Sequence, residues 1–226
     1  VPSIRSFLET VAGHNQVIRL DPTGTGLSTA APLPSLEDTE ADVLAVVDAI
    51  GLTQFDLIAA STMAPIGLKL ATTGKVAHLV LCDPTVKMAE ATEHLTFIQA
   101  TDALGKQGLI EPLQALWTSM APLSDSDTLY EVTTTNYEHH PNLTSGLRWD
   151  GKPFLDTVPV PTLVIYTRDG PITSAEQARE AAARIPDARM LAVEGKLAPY
   201  FADREAIVAA LSDFLGWSNR ERTGQT

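Results

Sequence analysis

The stretch Leu57-Ile58-Ala59-Ala60-Ser61-Thr62-Met63-Ala64 decides how the rest of this chain is read. A short, largely apolar run from Phe55 to Ala59 gives way to a serine, and a helical pattern begins at once. Strand, sharp turn and helix in that order hold a side-chain hydroxyl above the edge of a parallel sheet. The usual pattern for such a turn is G-x-S-x-G, in which small residues let strand and helix approach closely. The flanking positions here are Ala59 and Met63. Alanine is small enough for the role, but Met63 is not. The architecture that presents a nucleophile is kept, while part of its chemistry is altered.

Working outward, helical and strand patterns alternate. Ser3 to Ala12 reads as a helix with Ile4, Phe7, Leu8 and Val11 on one face, and Gln16 to Leu20 as a strand. A turn-rich run, Asp21 to Ser28, leads through a Pro-rich loop to Ser35, which stands three residues before Asp38 as at a helix start. Val43, Val46, Val47 and Ile50 mark that helix's buried face, and Gly51 ends it. Met63 to Thr72 reads as a helix and His78 to Cys82 as a strand apolar on both faces, as parallel strands covered by helices require. Residues 84–158 break the rhythm. Helical patterns over 88–105, 107–120 and 127–138 follow one another without a strand, and we read 84–158 as a helical lid. Thr162 to Tyr166 restores a strand, Ser174 to Ile185 a helix, Ala188 to Val193 a strand and Asp203 to Phe214 a closing helix. The expected division is a core of residues 1–83 and 159–216, the lid, and a polar tail over 217–226.

Composition narrows the class. At 226 residues, with 44% hydrophobic and 6% aromatic, the chain can bury a sizeable core. A formal charge of −12 argues against nucleic acid or an anionic membrane as partner. The single cysteine, Cys82, excludes an intrachain disulfide and sits in an apolar run, so a buried thiol is expected. No run is long enough for a membrane span, and the cytoplasm is the expected compartment. Gly24-Thr25-Gly26 lacks the third glycine of a dinucleotide fingerprint, and no metal set has useful spacing. No cofactor is expected.

With these residues placed, the chain resembles the α/β-hydrolase superfamily. The landmarks are Val17 to Asp21 followed by Gly24-Thr25-Gly26-Leu27-Ser28, then Leu57 to Ala64, Leu79 to Pro84, Val160 to Ile165 and the helix from Glu205 to Leu215. The opening Phe7-Leu8-Glu9 and the Gly24 to Ser28 turn are also similar to hydrolase-like sensor domains of bacterial signalling proteins. The resemblance implies a mainly parallel α/β sheet flanked by helices with an inserted lid. It also implies a Ser, acid and His triad in chain order, with Ser61 as nucleophile and the Thr62 backbone N–H as one oxyanion donor.

Against that pattern the chain departs in three places. The loop Thr167-Arg168-Asp169-Gly170-Pro171 puts Gly170 where the resemblance implies the acid, with Asp169 one residue early. In Val193-Glu194-Gly195-Lys196-Leu197-Ala198-Pro199, Leu197 falls at the histidine's position, and no His follows His140. Loss of a triad base typically costs about four to six orders of magnitude in rate. Lys196 would serve as a base only if buried. Third, the resemblance implies a central strand and oxyanion loop that have no counterpart here, which leaves a gap between Gln16–Leu20 and Phe55–Ala59.

Other side chains carry less. His139 and His140 near the lid's end read as solvated, although one of them facing inward would supply a base. His94 is the lid's other candidate, and His14 and His78 read as surface residues. Asp21 reads as a turn cap, and Asp83 stands directly after a strand, where the resemblance implies that some members carry the acid, although Pro84 beside it favours a turn role. Trp117, with Phe97, Leu116 and Met120, forms either a pocket roof or the lid's own core. Three readings result. The favoured one is a protein without a competent triad that binds a small, largely apolar ligand beneath the lid, with Ser61, Met63, Trp117, His139 and His140 as contacts. The second is an esterase-like serine hydrolase using Ser61, Asp169 and a lid histidine. The third is an interaction module whose sheet a partner chain completes, as a homo-oligomer or beside an attached signalling domain.

Overall fold

The computed structural model describes residues 2–21, 23, 28, 35–87, 149–168, 175–200 and 202–217. Four strands form one sheet in the order β1-β2-β3-β4, with β1 Phe55–Ala60, β2 Val76–Cys82, β3 Thr162–Thr167 and β4 Ala188–Val193. Every neighbouring pair is parallel. The α/β class expected from the alternation is therefore the one observed.

Parallel strands need coverage on both faces, and the helices provide it. They are α1 Pro2–Ala12, α2 Leu36–Ala49, α3 Ala64–Ala71, α4 Ala175–Arg184 and α5 Arg204–Phe214. One apolar layer joins Val43 and Val47 of α2, Leu68 of α3 and Ala178 of α4 to Leu79 and Leu81 of β2 and Val164 of β3. The opposite layer joins Phe7 and Val11 of α1 and Ile207 and Leu211 of α5 to Val80 and Cys82 of β2 and Ile165 of β3. Consecutive strand residues thus alternate between two cores, as the pleat dictates.

Local signals set the helix ends. The Ser35 hydroxyl accepts from the Asp38 backbone N–H at 3.0 Å, and the Asp38 carboxylate accepts from the Ser35 N–H at 3.0 Å, closing a capping box ahead of α2. The Ser35 hydroxyl, which also donates to the Asp38 carboxylate at 2.8 Å, and after it the Ser35 N–H hold that carboxyl below its ordinary range. Asp203 caps α5 by accepting from the Ala206 N–H.

Two expectations are corrected. Residues 16–20 do not form a strand, because no strand lies beside them to complete a ladder among the described residues. The helix expected from Met63 begins as a single tight turn, Ser61–Met63, before α3. The expected lid helices over 88–105, 107–120 and 127–138 lie outside the described residues. At the two ends of that stretch, Lys87 and Asp150 form an antiparallel bridge, and the Gly151 N–H donates to the Val86 carbonyl at 2.8 Å. Val86 and Leu155 are fully buried against the first layer.

Close approach of strand and helix, which the Met63 position does not provide, comes from Gly67. A Cβ there would stand 2.6 Å from the Ala59 Cβ. Met63 instead packs its side chain against the first apolar layer. Gly67→Ala is therefore expected to destabilise the chain by about 1–2 kcal/mol in urea titration. The overlap outweighs the better helix propensity of alanine, because the Ala59 Cβ is fixed to a strand and cannot swing away. An unchanged or raised midpoint would disprove the close approach.

Candidate active site at the strand ends

In an open parallel sheet, ligands bind beyond the carboxyl ends of the strands. Ala60 and Cys82 are paired at those ends of β1 and β2, so the next residues, Ser61 and Asp83, leave adjacent strands at the same level. Both adopt the left-handed backbone region, Ser61 at φ 52° and Asp83 at φ 43°. They are the two non-glycine residues among those described that do so. Such conformations cost of order 1–3 kcal/mol each and persist where the surroundings enforce them. At Ser61 the enforcement includes a bond from the Thr85 N–H to the Ser61 carbonyl at 3.1 Å. The turn that exposes a hydroxyl in the expected place is thus present, with α3 following it.

Thr62 and Met63 follow within the same tight turn. The Ala64 N–H closes this turn by donating to the Ser61 carbonyl. Thr85 lies beneath, and its buried hydroxyl has no partner among the described residues.

Asp83 carries more than the turn role that the sequence favoured for it. Its carboxylate is buried, and it accepts from the Thr167 N–H at 2.7 Å, the Thr167 hydroxyl at 3.0 and 3.1 Å, and the Ala198 N–H at 2.6 Å. One side chain therefore ties the ends of β2 and β3 to the loop after β4. The turn role expected of Asp83 understates this, since a turn residue has no need of a buried, multiply bonded carboxylate. The available signal was its place directly after a strand buried on both faces. Beside it, the Cys82 thiol is fully buried, and burial followed by the Asp83 charge pushes its pKa well up, which keeps it protonated. That is the inert cysteine expected.

Leu197 sits in the loop that Asp83 holds, immediately before the bonded Ala198, and is buried. Lys196 next to it is exposed, so the burial that a lysine base would require is absent. The two described histidines are remote from Ser61. His78 lies toward the opposite end of β2, roughly 13 Å along the strand from Cys82, where its Nδ1 is 2.7 Å from the Asp56 carboxylate. His14 is exposed and stacks on Trp217 with ring centroids 4.9 Å apart. Asp169, Gly170, His94, Trp117, His139 and His140 lie outside the described residues. Ser61, Thr62 and Met63 are thus brought together by one turn, and Leu197 is linked to them through Asp83 and the sheet. Among the described residues, no group of three His, Cys, Asp or Glu side chains could hold a metal. No described helix is long and apolar enough to cross a membrane.

A parallel sheet, a strained serine between strand and helix, and an acidic residue ending the next strand define a hydrolase-type α/β protein. The Alpha/beta hydrolase family matches residues 3–210, and the chain belongs to that family. Among solved structures it is similar to a hydrolase from Pseudomonas aeruginosa PA01, at 22% identity over 94% of this chain and 84% of that one, with a TM-score of 0.75. It is also similar to the esterase RhEst1 from Rhodococcus sp. ECU1013, at 19% identity over 93% and 84% with a TM-score of 0.74. A third is the enol-lactonase from Burkholderia xenovorans LB400, at 20% identity over 87% and 79% with a TM-score of 0.66. At these identities the likeness establishes the fold. No curated protein matches the chain.

Proposed function

We propose that this member of the family binds a small, largely apolar molecule at the carboxyl ends of β1 and β2 and does not cleave it. The observation that carries this reading is the buried Leu197 in the loop after β4, where the family's general base is expected. A serine hydroxyl is a weak nucleophile until a neighbouring base takes its proton, and leucine has no group to do so. Ser61 then acts as a hydrogen-bonding group, with the Thr62 amide beside it. In this reading, Met63 and the expected lid contacts Trp117, His139 and His140 supply the apolar enclosure.

A second reading keeps Ser61 as the nucleophile of an esterase-like hydrolase, with Asp169 as acid and a lid histidine as base. The strained φ of 52° at Ser61 favours it, since strain held at one position is common where a reaction uses it. The names of the hydrolase, esterase and lactonase neighbours are compatible with it.

Intact-mass spectrometry after exposure to a fluorophosphonate separates the two. Folded wild-type protein is expected to remain unlabelled over hours. A single adduct that disappears in Ser61→Ala would establish an activated serine and overturn the binding reading.

A further inference from the structure

The connection from Lys87 to Trp149 leaves and rejoins the core beside α4, and one face of that helix grips both of its roots. Gln177, Glu180 and Arg184 stand three and four residues apart, so they share a side of the helix. At the outgoing root, the Gln177 carboxamide accepts from the Lys87 N–H at 2.9 Å and donates from Nε2 to the Lys87 carbonyl at 3.1 Å. At the returning root, Glu180 pairs with Lys152 Nζ at 2.9 Å. Arg184 donates to the Lys152 carbonyl at 3.1 Å and to the Asp156 carboxylate at 3.1 Å.

These contacts are unequal. The pairs made by Glu180 and Arg184 are partly open to water, where ion pairs contribute little. Gln177 is 4% exposed, and its carboxamide gives one backbone residue both an acceptor and a donor, as a neighbouring strand would. Two residues before Lys87, the Thr85 N–H donates to the Ser61 carbonyl at 3.1 Å. Between them Val86 is fully buried, and its carbonyl accepts from the Gly151 N–H at 2.8 Å. Gly151 in turn lies against the start of α3, where a Cβ would stand 3.0 Å from the Pro65 Cα. The three residues Thr85 to Lys87 are thus bound to the serine turn at one end and to α4 at the other.

A left-handed backbone at a non-glycine residue, here φ 52° at Ser61, persists only where its surroundings enforce it. The bond from Thr85 is part of that enforcement, and it is only as firm as the segment that carries it. We propose that Gln177 is a positioning residue for the Ser61 turn, holding Lys87 so that Thr85 keeps the strained backbone in place. It acts through three residues of chain and does not itself bond to Ser61. The proposal rests on Ser61 as the centre of the site, as in the reading above, and is the same whether that site binds or cleaves.

Amide hydrogen exchange of the whole chain, read by NMR, tests it without a ligand. Gln177→Met keeps the length of the side chain and loses both of its polar groups. The Lys87 and Thr85 amides are then expected to exchange at least about tenfold faster than in wild type, with the amides of β3 unchanged. The cross-peaks of Ser61 and Thr62 should shift with them. Gln177→Glu separates positioning from packing. Its carboxylate accepts from the Lys87 N–H but cannot donate to the Lys87 carbonyl, so at neutral pH Thr85 should again exchange faster than in wild type. A protonated carboxyl both accepts and donates, and burial favours that form. At roughly pH 5 the Thr85 rate should therefore return to that of wild type measured at the same pH. Should Gln177→Met not fold, the pH series alone decides. An unchanged Thr85 rate, equal acceleration throughout β3, or no recovery of Gln177→Glu in acid would overturn the proposal. A fluorophosphonate adduct on Ser61 would overturn the binding reading and leave these rates as they are, so the two fail separately.

Discussion

Leu197→His is expected to convert an inert serine into a reactive one. The loop carrying residue 197 is already fixed, because the Ala198 N–H donates to the Asp83 carboxylate at 2.6 Å. Asp83 in turn leaves β2 level with Ser61 on β1. An imidazole at position 197 would thus join a loop held by a buried carboxylate that ends the strand next to the one presenting the hydroxyl. General-base assistance is typically worth about 10²–10⁴-fold, and an untuned site should recover the lower end of that range. Hydrolysis of p-nitrophenyl acetate is therefore expected to rise about 10²-fold over wild type. Ser61→Ala in the same background should remove the gain, which separates it from hydrolysis by a surface histidine. A folded Leu197→His protein with no such gain would show that position 197 does not face the serine.

Asp83→Ala should produce the largest loss of stability of any single substitution at the strand ends. It leaves the Thr167 N–H, the Thr167 hydroxyl and the Ala198 N–H without their acceptor, in a region where water does not reach the Asp83 side chain. Each buried donor left without an acceptor typically costs about 1–3 kcal/mol, so the loss of three together should come to several kcal/mol. Native domains have only about 5–15 kcal/mol in total, so the variant should sit near the limit of folding. Asp83→Asn preserves the shape but turns one acceptor into a donor, and an intermediate loss of about 1–3 kcal/mol is expected. Urea titration at neutral pH reads both. A loss under 1 kcal/mol for Asp83→Ala would show that the three strand ends are held by other contacts.

The elements that sequence reading located well are those whose signal is local. The capping box at Ser35 and Asp38, the apolar run of β2 and the serine at the end of β1 each lie within a few residues, and each stands where expected. Gln16–Leu20 failed as a strand for the opposite reason. Its residues suit a strand, but a strand exists only when another backbone lies beside it, and that is a long-range fact. Asp83 was underestimated on the same ground, since its bonds reach residues 84 and 115 positions away in sequence. Gly67 escaped notice because nothing in a helical pattern shows how near a strand will pass beneath it. Leu197 was legible only as a substitution for an expected histidine, and its burial came from the structure.

The antiparallel bridge between Lys87 and Asp150 has a consequence for how this chain can vary. The connection between them leaves and rejoins the core at one point, so the entropy of closing it is one cost that its length sets. That term grows only with the logarithm of length, and doubling the connection costs about 0.6 kcal/mol. A change in the length of that connection therefore costs the core little in closure entropy.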